Sequence, residues 1–193
     1  MNFTMAAPQE KRYTFGDILN GSDSERTELI DGQVYMMAPP TRAHQRAVAA
    51  LTAQLFDFLQ DKPCEVYPAP LGVRLFEDKE ARPEDSETMV EPDISVICDS
   101  DKLDDYGCKG TPDFIAEVLS PSSQGYDRLA KFRLYERAGV RECWIIDPAS
   151  KTVSVHTLEN GRYGAGQIYA AGAAVPVGVL GGFAVDTAKL FPT

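Results

Sequence analysis

One short run constrains this chain more than any other. PDFIAEVLS at 112–120 is strand-like, and both of its alternating faces are apolar except at Glu117. Phe114, Ile115, Ala116, Val118 and Leu119 flank that carboxylate, so the run belongs in a covered layer and Glu117 points into it. A carboxylate there is costly unless it meets a cation or takes up a proton. A salt bridge to a core arginine, or a strand end that reaches water, would also satisfy it, so burial alone leaves its role open. Asp93 adds context, because it follows Pro92 and opens a second apolar run, ISVI at 94–97. As neighbouring strands the two runs would set Asp93 beside Glu117. Two carboxylates that close repel, and a divalent cation is the usual resolution. Taken alone, Asp93 reads first as a plain strand-entry residue after a proline, which is common in loops.

The remaining segments supply the layers. TELIDGQVYMM at 27–37 holds two β-prone runs around Asp31-Gly32, a link that favours a hairpin because both turn positions need positive φ. Thr41 is placed to cap a helix that runs to about residue 60. Val48, Leu51, Leu55 and Leu59 give that helix an apolar face, and His44 lies one turn earlier on the same stripe. CEVYPAPLGVRLF at 64–76 reads as two strands broken by prolines, and FEDKEARPEDSETMVEPD reads as a solvated acidic loop. A second helix is predicted over 126–138, stopped by Gly139, followed by the buried strand ECWIID at 142–147. TVSVHT and RYGAGQIY flank Asn160-Gly161, a second hairpin signal. This order predicts an α/β (α+β) fold: a mixed sheet with a helix on each side, not a doubly wound parallel one.

Length and composition set the outer bounds. A chain of 193 residues suits a single domain, with the first 12 residues as a flexible tail. No apolar run is long enough to span a membrane, and the N-terminus lacks the apolar stretch of a secretory signal. Cys64, Cys98, Cys108 and Cys143 contain no C-x-x-C pair, which predicts reduced thiols and a cytoplasmic location. A net charge of −10 excludes a basic coat over the whole surface, though not a local basic strip. Residues 171–191 are more apolar and glycine-rich than a small core needs, which predicts a homodimer.

The helix GYDRLAKFRLYERAGV carries the local strip. Arg128, Lys131, Arg133, Arg137 and Arg141 stand there against Asp127 and Glu136. Asp127, Lys131 and Tyr135 recur every four residues and share one helical face. A solvated charged face accounts for such a run as well. His44 is by default a satisfied core histidine. No phosphate-binding glycine loop, H-E-x-x-H or G-x-S-x-G occurs, so nucleotide-binding and serine-hydrolase chemistry have no support.

Taken in order, TELIDGQV, the helix containing AHQ, EPDISVI, DFIAEVLSPSS and DRLAKFRLYERAGVRECWIIDP resemble the Uma-type restriction endonuclease family of the PD-(D/E)XK phosphodiesterase superfamily. The likeness spans about 27–157, leaving 158–193 as a C-terminal extension. It implies a restriction-endonuclease-like α-β-β-β-α-β core that binds Mg²⁺, with Mn²⁺ as a substitute, and cuts nucleic acid, DNA before RNA. Asp93 matches the Asp of the PD motif and Glu117 the acid of the next strand. The superfamily's lysine stands two residues after that acid, where this chain has Leu119, and the resemblance points instead to Lys131 on the following helix. Asp93, Glu117 and the backbone carbonyl near Val118 would hold the metal. Lys131 would orient water or stabilise developing charge. Glu28, His44, Asp127 and Tyr135 are ancillary candidates, and Arg128, Arg133 and Arg137 would guide the phosphate backbone. Two other readings fit the acidic charge: a non-catalytic nucleic-acid- or protein-binding module on the same fold, and a metal-dependent hydrolase of small phosphoesters.

Overall fold

The structure is a computed structural model; it describes residues 11–20, 26–77, 80–120 and 126–191, and only the backbone of Tyr126, Asp127 and Arg128. The expected N-terminal tail therefore lies almost wholly outside the described residues. Helix α1 (Phe15–Leu19) is closed by a reciprocal cap between Thr14 and Asp17. Strands β1 (Thr27–Ile30) and β2 (Gln33–Met36) form the expected hairpin, with φ of 50° at Asp31 and 78° at Gly32. Helix α2 (Arg42–Leu59) starts at Thr41, whose hydroxyl accepts from the His44 N–H at 3.2 Å. Then come β3 (Glu65–Pro68), β4 (Val73–Arg74), β5 (Ile94–Ile97), β6 (Leu103–Asp104), β7 (Gly107–Lys109) and β8 (Phe114–Val118). Helix α3 (Tyr126–Ala138) ends where Gly139 turns to a φ of 85°. Strands β9 (Glu142–Asp147), β10 (Thr152–Glu159), β11 (Arg162–Tyr163), β12 (Gln167–Ala170), β13 (Ala174–Pro176) and β14 (Ala184–Asp186) precede the short helix α4 (Thr187–Leu190).

The central sheet runs β11-β10-β9-β8-β5-β3, with β12 also paired to β10. Within it β8 and β9 are parallel, joined through α3, and the other pairs are antiparallel. Strand alternation divides the core in two. Ile94, Val96, Phe114, Ala116, Trp144 and Ile146 face α2, where Leu51 and Leu55 are fully buried. Ile97, Ile115, Cys143 and Ile145 face α3, where they meet Leu134 and Tyr135. Glu117 shares the parity of Ile115 and so belongs to the α3 layer.

Three expectations change. The acidic stretch is not a solvated loop throughout: Ser86, Thr88, Met89 and Val90 are buried, and Leu29 and Met89 exchange backbone hydrogen bonds at 2.7 and 2.8 Å. Single-residue bridges leave no periodicity, so the carboxylate density around them hides the segment. Beyond the sequence expectations, β6 and β7 join β4 in a small sheet, β4-β7-β6. The C-terminal apolar residues are not surplus, because Val175, Val177, Val185, Leu190 and Phe191 complete the α2-side core. The reason for expecting a homodimer is thus met within one chain. Finally, Cys64 and Cys98 are joined by a disulfide and so are not reduced thiols, whereas Cys108 and Cys143 are free and buried. Glu65 pairs with Ile97 across β3 and β5, so the next positions outward face each other, a neighbourhood that separation along the chain conceals. Among the described residues no helix is long and apolar enough to cross a membrane.

Candidate active site

The register of β5 and β8 builds the site. Ile94 pairs with Ala116, and at the next position, where the ladder stops, stand Asp93 and Glu117. Asp93 Oδ2 accepts the N–H of Val118 at 2.7 Å and lies 3.1 Å from His44 Nε2, on the first turn of α2. Asp93 is thereby tied both to the strand carrying Glu117 and to the helix on the other side of the sheet. His44 Nδ1 is buried without a partner among the described residues.

Glu117 is held from α3. Its Oε1 accepts from the Tyr135 hydroxyl and lies 2.7 Å from Lys131 Nζ. The same ammonium donates at 2.9 Å to Glu28 Oε1 on β1, which also accepts the Glu91 N–H at 2.9 Å. The four-residue spacing of Lys131 and Tyr135 is what delivers both to one carboxylate. Burial pushes the Glu117 carboxyl up to about 7; the nearby charges of Asp93 and Glu28 act in the same direction, while Lys131 opposes them. Burial works against the charge on Lys131, but Glu117 and Glu28 outweigh it and hold the ammonium well above the usual lysine range. Burial, and then Glu117, keep the Tyr135 phenol protonated.

Glu28, His44, Asp93, Glu117, Lys131 and Tyr135 line one cavity of about 230 Å³. Val118 and Leu119 line it too. Leu119 packs against the α3-side core, which is where its position spends an apolar side chain that the superfamily pattern would replace with lysine. The cavity's apolar wall, which includes Ile30, Tyr35, Met36, Met37 and Phe132, was not anticipated from the residues alone. Its one signal is the doublet Met36-Met37 at the end of the hairpin, where polar residues are the norm.

The expected basic strip is only partly available. Arg133 is exposed, but Arg137 pairs with Asp31 at 2.6 Å and Arg141 with Asp113 at 2.5 Å. The side chains of Asp127 and Arg128 lie outside the described residues. Helix periodicity cannot show such pairings, because their acidic partners come from distant loops.

The donor set suits a hard cation. Among the described residues no group of three or more His, Cys, Asp or Glu side chains is arranged around a metal position. Mg²⁺, however, is commonly held by one or two carboxylates with water completing its shell. The hydrogen bonds among the described residues leave Asp93 Oδ1 and Glu117 Oε2 uncommitted. A cation there would also relieve the like-charge repulsion that raises Glu117.

A layered α/β core with two carboxylates at adjoining strand ends and a buried lysine beside them defines a restriction-endonuclease-like protein. The chain belongs to the Uma2 family, whose model, described as "Putative restriction endonuclease", matches residues 14–188. Among solved structures it is similar to a "putative nuclease belonging to DUF820" from Anabaena variabilis, with a TM-score of 0.72 and 18% identity over 92% of this chain and 97% of that one. At that identity the likeness bears on the fold. Two Synechocystis proteins named as uncharacterized, slr1290 and sll1609, are 31% and 29% identical over 111 and 114 residues. Those alignments cover 58% of this chain, and 54% and 60% of the respective relatives.

Proposed function

We propose that this protein is a Mg²⁺-dependent endonuclease that hydrolyses phosphodiester bonds in nucleic acid, DNA before RNA. The observation that carries the reading is the convergence of Asp93, Glu117 and Lys131 on one cavity from two strands and a helix. Asp93 and Glu117 would hold the metal, with the Val118 carbonyl as a further oxygen donor. When bound, a divalent cation supplies Lewis-acid activation of water and neutralises phosphate charge.

The chain's own groups do the rest. The Val118 N–H and His44 fix the Asp93 carboxylate, so it needs no reorganisation when a ligand arrives. Tyr135 and Lys131 fix Glu117 in the same way. Lys131 takes the superfamily lysine's task from the helix, placing an ammonium where the attacking water or the developing negative charge would lie. Its tether to Glu28 sets how far that ammonium reaches. Arg133 is exposed for contact with phosphates, and Arg137 would exchange Asp31 for one at little cost, since exposed pairs contribute about 0–1 kcal/mol. Every side chain in this scheme comes from one chain, so it requires no second copy.

The test is cleavage of circular and linear DNA and of RNA by the purified protein, with Mg²⁺, with Mn²⁺ and with chelator. Metal-dependent cleavage that vanishes in Asp93→Ala is expected. Turnover of a small phosphodiester with no cleavage of nucleic acid would favour the small-substrate hydrolase. Nucleic-acid binding with no turnover would favour the non-catalytic module.

A further inference from the structure

The nuclease reading uses only one side of the cavity. Next to Glu28 stands Tyr35, its cross-strand partner in the β1–β2 hairpin, and both line the cavity. Directly paired residues on antiparallel strands project to the same face. The Tyr35 ring therefore stands on the face that carries the carboxylate holding Lys131. Met36, which is 61% exposed, and Met37 continue this wall, and both line the same cavity. An aromatic ring and polarisable thioethers next to a phosphate-seeking cation are the two halves of a single-strand contact: a stacking surface for a base and a charge for the backbone.

We propose that Tyr35, with Met36 and Met37, receives an unpaired base next to the phosphate at Lys131. The protein then favours substrates with unpaired bases, such as single strands, overhangs or mismatches, over continuous duplex. This rests on the nuclease reading and specifies its substrate. A paired base exposes only its edges, because its faces are covered by neighbours in the stack. A concave cavity of about 230 Å³ has room for one planar base and none for a stacked column of pairs. The charge balance points the same way, since a net charge of −10 handicaps a rigid duplex more than a flexible strand of lower charge density.

The experiment measures kcat/KM on a single-stranded oligonucleotide, its duplex and the duplex with one central mismatch. Binding of the same three is followed by fluorescence anisotropy with the Asp93→Ala protein, which leaves the hairpin intact. The single strand and the mismatched duplex should be preferred by about 5- to 100-fold, the scale of one stacked base. Tyr35→Phe should keep that preference and Tyr35→Leu should lose it, because the ring carries the effect and not the bulk. Cleavage with duplex equal to or above single strand, or an unchanged ratio in Tyr35→Leu, overturns this inference alone. Ring-dependent single-strand binding without any cleavage supports the platform and overturns the nuclease reading. No binding to any of the three overturns both.

Discussion

Arg74 and Lys131 each sit between two carboxylates, yet their surroundings differ in ways that separate structure from chemistry. The Arg74 side chain is 0% exposed and bonds Glu77 at 2.9 Å and Asp104 at 2.6 Å beside the small sheet. A guanidinium is planar and permanently charged, and its fork ties two chain segments together. Lys131 is 14% exposed, opens onto a cavity, and meets Glu28 and Glu117 with Asp93 nearby. It brings a compact point charge to a cluster with more negative groups than positive ones. A buried ion pair by itself is thus poor evidence of a site. A carboxyl shifted towards neutrality, a third carboxylate close by and access from outside are what distinguish the second cluster.

The largest effect should come from the structural cluster. Arg74→Leu leaves Glu77 buried without its cation, a loss of about 3–5 kcal/mol for a broken buried pair. In a chain this long that lowers the melting temperature by about 10 °C. Thermal unfolding followed by circular dichroism checks it, and a stable Arg74→Leu protein would mean that the pair is merely tolerated.

Lys131→Ala should do the reverse. Cleavage should fall about 10²–10³-fold, the scale of one lost charge-stabilising group, while the fold persists. Lys131→Gln should be nearly as poor, since it keeps length and removes charge. Leu119→Lys added to Lys131→Ala returns an ammonium to the superfamily's usual position, and a partial rescue would show that position matters less than charge. Full activity in Lys131→Ala would reduce Lys131 to a second Arg74.

The contrast also explains what could be read from the sequence. Glu117 was legible because a charge inside an apolar strand violates alternation, and Asp93 because it opens a second apolar run that could pair with that strand. Helical spacing showed that Lys131 and Tyr135 share a face, and the family resemblance, not the spacing, pointed to Lys131 as a site residue. Arg74 was not legible, because β4 is two residues long and shows no pattern, and its partners Glu77 and Asp104 lie in a loop and in the equally short β6. The apolar wall was hidden for a related reason: its residues come from a hairpin and a helix that only the fold brings together. The disulfide and the buried part of the acidic stretch depend on pairings across tens of residues, which local patterns do not record.

A third test uses pH on the metal-free protein. Folding raises the Glu117 carboxyl from 4.5 to about 7 through burial, with Asp93 and Glu28 adding to it and Lys131 opposing. Between those values the folded chain holds a proton that the unfolded chain releases, so this group makes stability fall as pH rises. Relative to Glu117→Gln, the unmutated protein should therefore lose stability from about pH 4.5 to 7 and change little beyond. Parallel thermal melts of the two proteins in chelator check the sign. The opposite slope would mean that pairing with Lys131 outweighs burial, which is the balance expected of a structural ion pair.

The smallest effects belong to the exposed arginines, a third setting for a cation in this protein. Arg137 lies in the open, about half exposed like its partner Asp31, and Arg133 faces solvent on the same helix. Removing either should change stability by less than about 1 kcal/mol, because exposed pairs gain little Coulomb energy and are screened by salt. Their contribution is instead to nucleic-acid binding, through release of counterions from phosphates. Arg133→Ala and Arg137→Ala should each weaken binding to all sequences alike and reduce the slope of log affinity against log salt by about 1. Anisotropy titrations across a range of salt concentrations separate the two contributions. A lower affinity with an unchanged slope would mean that the arginine acts through the fold. An unchanged affinity would place the path of the phosphate backbone away from these two arginines.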